Sequence, residues 1–269
     1  MALFQCSFFA EYLGYETKAN VILPETRSIY QPGENGTDRY KVLYLLHGRG
    51  DDYSSWARNT CIEQFAQEHA IAVIMPSAED SFYSDSVGGK KYFSYMTQEL
   101  PQKMSTWFPV SIRPEETYIA GLSMGGYGAL KIGLTYPERF AGIGAFSSVI
   151  WPDQIPSFFE TPMENRMLEQ NLSRIFGGRK LEDQDDPIVL LKQRLQEQRT
   201  VPPIVQYEGT QDILYKMNQE FCQLAKQLGQ DITYEEWEGV HDWRFWNRAI
   251  EKFLNHFLCE VPVTGNRAE

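Results

Sequence analysis

Cysteine is scarce in this 269-residue chain: Cys6, Cys61, Cys222 and Cys259 stand far apart, with no C-x-x-C spacing. Neither a disulfide framework nor a thiolate zinc site is built from so scattered a set, so reduced thiols, no metal and no cofactor are expected. Cations are also short, 25 Lys and Arg against 36 Asp and Glu, for a formal charge of -11. Nucleic acid and anionic membrane surfaces need clustered Lys and Arg, and neither is expected as a partner. Long apolar runs are missing too, since no stretch approaches the roughly 18 residues of a membrane span. Met1 to Phe9 carries no basic residue and is followed by Glu11, unlike a secretory signal, so a cytoplasmic location is expected.

What remains is ordinary globular material, 42 % hydrophobic and 23 % charged, enough for one large α/β domain over residues 1–269. Two antiparallel strands are expected near Gln5 to Phe9 and Lys18 to Leu23. Further strands are expected at Val42 to Leu46, Ile71 to Met75, Tyr118 to Ala120, Gly142 to Phe146, Ile204 to Tyr207 and Ile232 to Trp237. Most are too apolar for a sheet with one wet face. Helical patterns fill the gaps at Cys61 to Glu68, Glu99 to Trp107, Tyr127 to Thr135, Leu214 to Leu228 and Trp243 to Phe257. This alternation predicts an α/β fold of about eight strands, mostly parallel, with helices on both faces. Residues 149–200 break the rhythm with aromatics and prolines, then a charged, Gln-rich run with one helix at Ile188 to Gln198. They read as an insertion forming a cap or pocket wall. The polar tail Val263 to Glu269 is expected to fray.

The segment Gly121-Leu122-Ser123-Met124-Gly125 lies between an apolar run and a helical pattern. G-x-S-x-G in that setting is a nucleophile elbow, a sharp strand-to-helix turn that lifts the serine hydroxyl clear of the sheet and leaves no room for side chains two residues away. A serine is a weak nucleophile until a histidine takes its proton and a carboxylate orients that histidine. In this topology the chain order is Ser, acid, His. Of four histidines, His47 precedes the serine, His69 precedes a strand, and His256 falls inside the last helical pattern. His241, in a loop between a strand and the final helix, is the base. Asp212 follows the strand Ile204 to Tyr207 and is the matching acid, whereas Asp185 and Asp186 lie in the insertion and Asp242 suits a helix N-cap.

An oxyanion needs two backbone N–H donors, one from the residue after the nucleophile, Met124, and one from the loop after Val42 to Leu46. That loop reads His47-Gly48-Arg49-Gly50, which makes Arg49 the second donor and His47 a structural residue. Gly48 and Gly50 let the main chain approach a substrate. Trp56, Phe82, Tyr83, Trp151, Phe158, Trp243 and Trp246 are the aromatic candidates for a pocket wall, with Tyr83 and Trp243 favoured.

Four motifs in order carry a resemblance over nearly the whole length: Val42 to Gly48 with Ser55-Trp56, Ile119 to Gly128, Gly209 to Tyr215, and His241 to Trp246. The chain resembles the esterase D-like branch of the α/β-hydrolases, above all the small bacterial tributyrin-esterase type. The resemblance implies a serine esterase acting on short-chain acyl esters, a small-molecule substrate, with Ser123, Asp212 and His241 as triad. Feruloyl, acetylxylan and S-formylglutathione hydrolases are relatives in the same branch, and a non-catalytic binding module would lack part of the triad. The loop His47-Gly48-Arg49-Gly50 departs from the S-G-L-T-C pattern of the formylglutathione enzymes. A homo-oligomer is left open.

Overall fold

The structure, a computed structural model, describes residues 1–25, 39–158, 162–178 and 181–258; the expected frayed tail lies outside them. Its centre is one eight-stranded sheet: β1 (Ala2–Ala10), β2 (Tyr15–Leu23), β3 (Lys41–Leu46), β4 (Ile71–Pro76), β5 (Thr117–Leu122), β6 (Gly142–Phe146), β7 (Ile204–Gly209) and β8 (Ile232–Trp237). The spatial order is β1-β2-β4-β3-β5-β6-β7-β8. β1 pairs antiparallel with β2 and β2 antiparallel with β4, while every other pairing is parallel. All the strands expected from sequence are present.

Because side chains alternate across a strand, the central strands feed two cores. Val42, Tyr44 and Leu46 of β3 point into one, with Ile119 of β5 and Ile143 of β6. Leu43 and Leu45 point into the other, with Ala120, Leu122, Phe146 and Tyr207. Helices α1 (Ser55–Asn59) and α2 (Ile62–Glu68) cover the second core, together with the last helix. On the first core lie α3 (Tyr92–Ser94), a π-turn over Tyr95–Glu99, α4 (Leu100–Trp107) and α5 (Met124–Thr135). The insertion supplies α6 (Pro162–Phe176) and α7 (Pro187–Gln196), followed by α8 (Tyr215–Gln227) and α9 (Trp243–Leu258). Helix α9 is held at its start by Asp242, whose carboxylate accepts from the Arg244 and Phe245 amides at 3.1 and 3.0 Å, the N-cap geometry expected of it.

Helix α6 is the element that reading by composition passes over. Among the described residues its buried apolar face is Leu168, Leu172 and Ile175, spaced four and three residues apart among charged and amide side chains, so the helical period is present but sparse. The insertion is tied to α5 through one polar anchor. Lys131, 3 % exposed, makes an ion pair with Asp185 and donates to the Ser84 hydroxyl at 2.7 Å. The Tyr127 hydroxyl donates to the Asp185 carbonyl at 2.7 Å. Burial pushes the Lys131 ammonium below its usual range, with the Asp185 carboxylate opposing.

Breaking one side of such a pair strands a buried charge. Lys131→Met is therefore expected to lower stability by about 3–5 kcal/mol, read from urea denaturation. Adding Asp185→Leu should recover most of that loss, because the charge left behind is then removed as well.

Candidate active site

The carboxyl ends of β3, β5, β7 and β8 meet at one edge of the sheet, and each releases a loop there. Steric exclusion brings them together. A Cβ on Gly121 would lie 2.4 Å from the Gly125 carbonyl, and one on Gly125 would lie 2.4 Å from the Leu46 oxygen. Only glycine lets α5 start that close to β5 and β3. Between the two, Ser123 takes φ 53° and ψ -117°, a conformation that costs a non-glycine residue about 1–3 kcal/mol. It is held by its own N–H donating to the Phe146 carbonyl at 2.9 Å, while its carbonyl accepts from Tyr127 at 3.2 Å and Val149 at 3.1 Å.

The β7 and β8 loops are also pressed together. A Cβ on Gly209 would sit 2.5 Å from the Gly239 oxygen, and the Gln211 amide donates to that same oxygen at 3.0 Å. This contact sets Asp212 against His241. The His241 Nδ1 lies 2.9 and 3.1 Å from the two Asp212 oxygens, and its Nε2 lies 3.0 Å from the Ser123 Oγ. With a carboxylate at Nδ1, that nitrogen carries the proton and Nε2 is free to accept one from serine. The Asp212 side chain is fully buried and that of His241 is 25 % exposed. Asp212 also accepts from the Leu214 amide at 2.8 Å, and the Trp246 ring stands edge-on to the imidazole with centroids 4.9 Å apart. The three residues selected from sequence thus form one hydrogen-bonded chain running from a hydroxyl to a buried carboxylate.

The loop after β3 is clamped from several sides. His47, buried, donates from Nδ1 to the Gly48 carbonyl at 2.8 Å and accepts the Ala78 amide at Nε2, 2.9 Å away. Burial holds its pKa down, which keeps it neutral in this structural role. The Gly50 amide, at φ +80°, donates to Asp80 at 2.7 Å. Asp80's own carbonyl accepts from Asn171 of α6 at 2.7 Å. A Cβ on Gly48 would come within 3.6 Å of the Ser123 Cβ, so this loop passes directly beside Ser123 with exposed Arg49 at its turn. Met124 opens α5, where helix geometry leaves N–H groups without an intrahelical acceptor.

The aromatic expectations need correction. Trp56 is fully buried, its Nε1 donating to the Leu46 carbonyl at 3.0 Å. Tyr83 is fully buried too, and its hydroxyl donates to the His47 carbonyl at 2.9 Å. Trp151 is enclosed, with Nε1 donating to Asp186 at 3.3 Å, and Phe82 and Trp246 are also core residues. The rings of Trp56, Phe82 and Tyr83, with no free surface, cannot line a pocket. Trp243 keeps partial exposure beside His241, and the Phe158 side chain lies outside the described residues. The open groove next to the loop after β3, about 660 Å³, is instead edged by Gly50, Asp80, Lys90, Asn171, Arg174 and Ile175. Asp80 and Asn171 carry no motif in the sequence, and only the fold reveals them.

A family model described as "Putative esterase" matches residues 10–257. The chain belongs to that esterase family. It is 34 % identical over 254 residues to an acetyl esterase of Caldicellulosiruptor saccharolyticus, covering 93 % of this esterase and 96 % of the relative. Among solved structures, the fluorophosphonate-binding serine hydrolase F of Staphylococcus aureus superposes with a TM-score of 0.86 at 28 % identity, covering 96 % and 99 % of the two chains. An S-formylglutathione hydrolase of Staphylococcus aureus gives 0.82 at 30 %, covering 96 % and 98 %. The esterase is a carboxylic ester hydrolase with the α/β-hydrolase fold.

If Tyr83 works only by bracing the His47 carbonyl, Tyr83→Phe should leave KM for p-nitrophenyl acetate unchanged. Stability should fall by about 1–3 kcal/mol through the unpaired buried acceptor. A changed KM with intact stability would return Tyr83 to the pocket wall.

Proposed function

We propose that the protein is a serine carboxylesterase that removes short acyl groups, acetyl to butyryl, by a two-step acyl-enzyme route. The observation that carries this reading is the continuous chain Ser123 Oγ, His241 Nε2, His241 Nδ1, Asp212. His241 takes the Ser123 proton as Oγ attacks the ester carbonyl, and the amides of Met124 and Arg49 receive the oxyanion. The imidazolium then protonates the departing alcohol, and a water activated by the same histidine releases the acyl group. Asp212 holds the tautomer and stabilises the imidazolium without itself taking the proton.

The acetyl esterase relative, aligned over nearly its full length, supports acetyl as an accepted acyl group. The groove edged by Asp80, Lys90, Asn171 and Arg174 offers charged and amide groups to a hydroxyl-rich alcohol, which favours acetylated carbohydrate over a long-chain lipid. A second reading, thioester hydrolysis of S-formylglutathione, draws on the solved relative at 30 % identity. A small-molecule ester is the partner in either case, and a cytoplasmic location fits the sequence. Among the described residues, no helix is long and apolar enough to cross a membrane.

Ser123→Ala is expected to lose at least about 10⁴-fold in kcat/KM on p-nitrophenyl acetate and to stop reacting with a fluorophosphonate probe. Undiminished turnover in that variant would refute the mechanism. The wild-type rate should fall from butyryl toward longer p-nitrophenyl esters. Faster cleavage of S-formylglutathione than of any acetyl ester would move the assignment to the thioester reading.

A further inference from the structure

Glu208, the penultimate residue of β7, has no accessible surface, and the mechanism above does not use it. Its Oε1 accepts the amide of Gly209 at 3.2 Å. Its Oε2 receives no hydrogen bond from any group of the described residues. The turn after β7, closed by the Asp212 amide donating to the Gly209 carbonyl at 3.0 Å, brings the chain back so that the Asp212 carboxyl group is its neighbour. Two carboxylates in contact in a dry site cannot both remain charged, so one proton is shared between them. Asp212 already has donors for an anion, the Leu214 amide and the His241 Nδ1–H, whereas Glu208 has only the Gly209 amide. The proton therefore resides on Glu208.

We propose that Glu208 is a neutral carboxylic acid that donates its proton to Asp212, and so serves as a positioning residue for the Asp212–His241 pair. Burial first, and the Asp212 charge second, raise the Glu208 carboxyl well above the ordinary range. The other titratable groups facing it are Glu236, which acts in the same direction, and Tyr215 and Tyr234, whose hydroxyls are bonded to Glu236. The donated hydrogen bond does two things. It fixes the Asp212 carboxylate for its bonds to imidazole, and it withdraws charge from that carboxylate, which moderates how strongly the imidazolium is stabilised. This inference deepens the triad reading and rests on it for its functional half.

The protonation half is tested without catalysis. Glu208→Gln keeps the shape, the neutrality and a donor. In the unfolded chain Glu208 ionises above about pH 4.5, while in the folded protein it stays protonated, so wild-type stability is lost as pH rises above that value. The ratio of wild-type to Glu208→Gln folding constants, from urea titrations, should fall about tenfold per pH unit above about pH 5. A ratio that stays flat up to about pH 8 means an ionised Glu208 and overturns the proposal.

The positioning half is read from the acid limb of the kcat/KM profile, which reports the histidine that must accept the serine proton. It should stay in place in Glu208→Gln and move to higher pH in Glu208→Met, which lacks a donor. A limb that drops in the Gln variant, or that is the same in both variants, overturns the role. Should Glu208→Met not fold, the downfield Nδ1 proton resonance of His241 decides: unmoved in Glu208→Gln it supports the donor, and lost or shifted upfield it refutes it. A flat stability ratio in an enzyme that still depends on Ser123 sinks this inference alone, whereas activity in Ser123→Ala sinks the triad and the positioning half and leaves the protonation half to its own stability test.

Discussion

The site depends on backbone touching backbone. Where α5 leaves β5, the main chain of Gly125 lies against the Leu46 and His47 carbonyls, and Gly121 lies against Gly125. No attractive force of comparable specificity is needed, because the absence of two Cβ atoms lets three chain segments occupy a volume that otherwise holds two. That closeness forces Ser123 into its positive-φ turn and places the loop after β3 beside its hydroxyl. The strain is sustained by the bonds at Phe146, Tyr127 and Val149, which anchor the serine backbone on both sides of the turn. Local strain of this kind persists only where surrounding structure over-determines it.

Several buried polar groups gather around that edge. His47, Tyr83 and Asp80 brace the loop after β3, Lys131 and Asp185 pin the insertion to the helix that follows Ser123, and Asp212 stands behind the His241 imidazole with buried Glu208 nearby. All but half-buried Asp80 are enclosed, and buried ion pairs of this kind are often replaceable by apolar residues without loss of stability. Their placement trades some folding free energy for fixed geometry at the reacting atoms.

Much of this was readable from residue order. The strands of the parallel region are short, apolar and bounded by turns, so period and length identify them, and Gly121-Leu122-Ser123-Met124-Gly125 carries its own steric logic. Asp212 and His241 followed from chain order together with their places just beyond strands. The aromatic residues misled, since Trp56, Tyr83 and Trp151 sit next to site segments in sequence but turn inward, and sequence adjacency says nothing about which way a ring faces. Helix α6 is hard to read because Met163 and Met167, both exposed, blur the period set by buried Leu168, Leu172 and Ile175. Asp80 and Asn171 escape for another reason: each matters through a partner far away in the chain, and no local pattern encodes a contact across 91 residues such as that between Asn171 and Asp80.

That last contact bears on how such esterases diversify. Helix α6 belongs to the segment that edges the groove, and through Asn171, Asp80 and the Gly50 amide it is wired to the loop beside Ser123. The segment is consequently not a detachable cartridge. A chimera that imports the corresponding stretch of a relative to acquire its substrate range also imports or severs one strut of the loop after β3. Substrate range and turnover are then inherited together unless position 171 retains a donor for the Asp80 carbonyl.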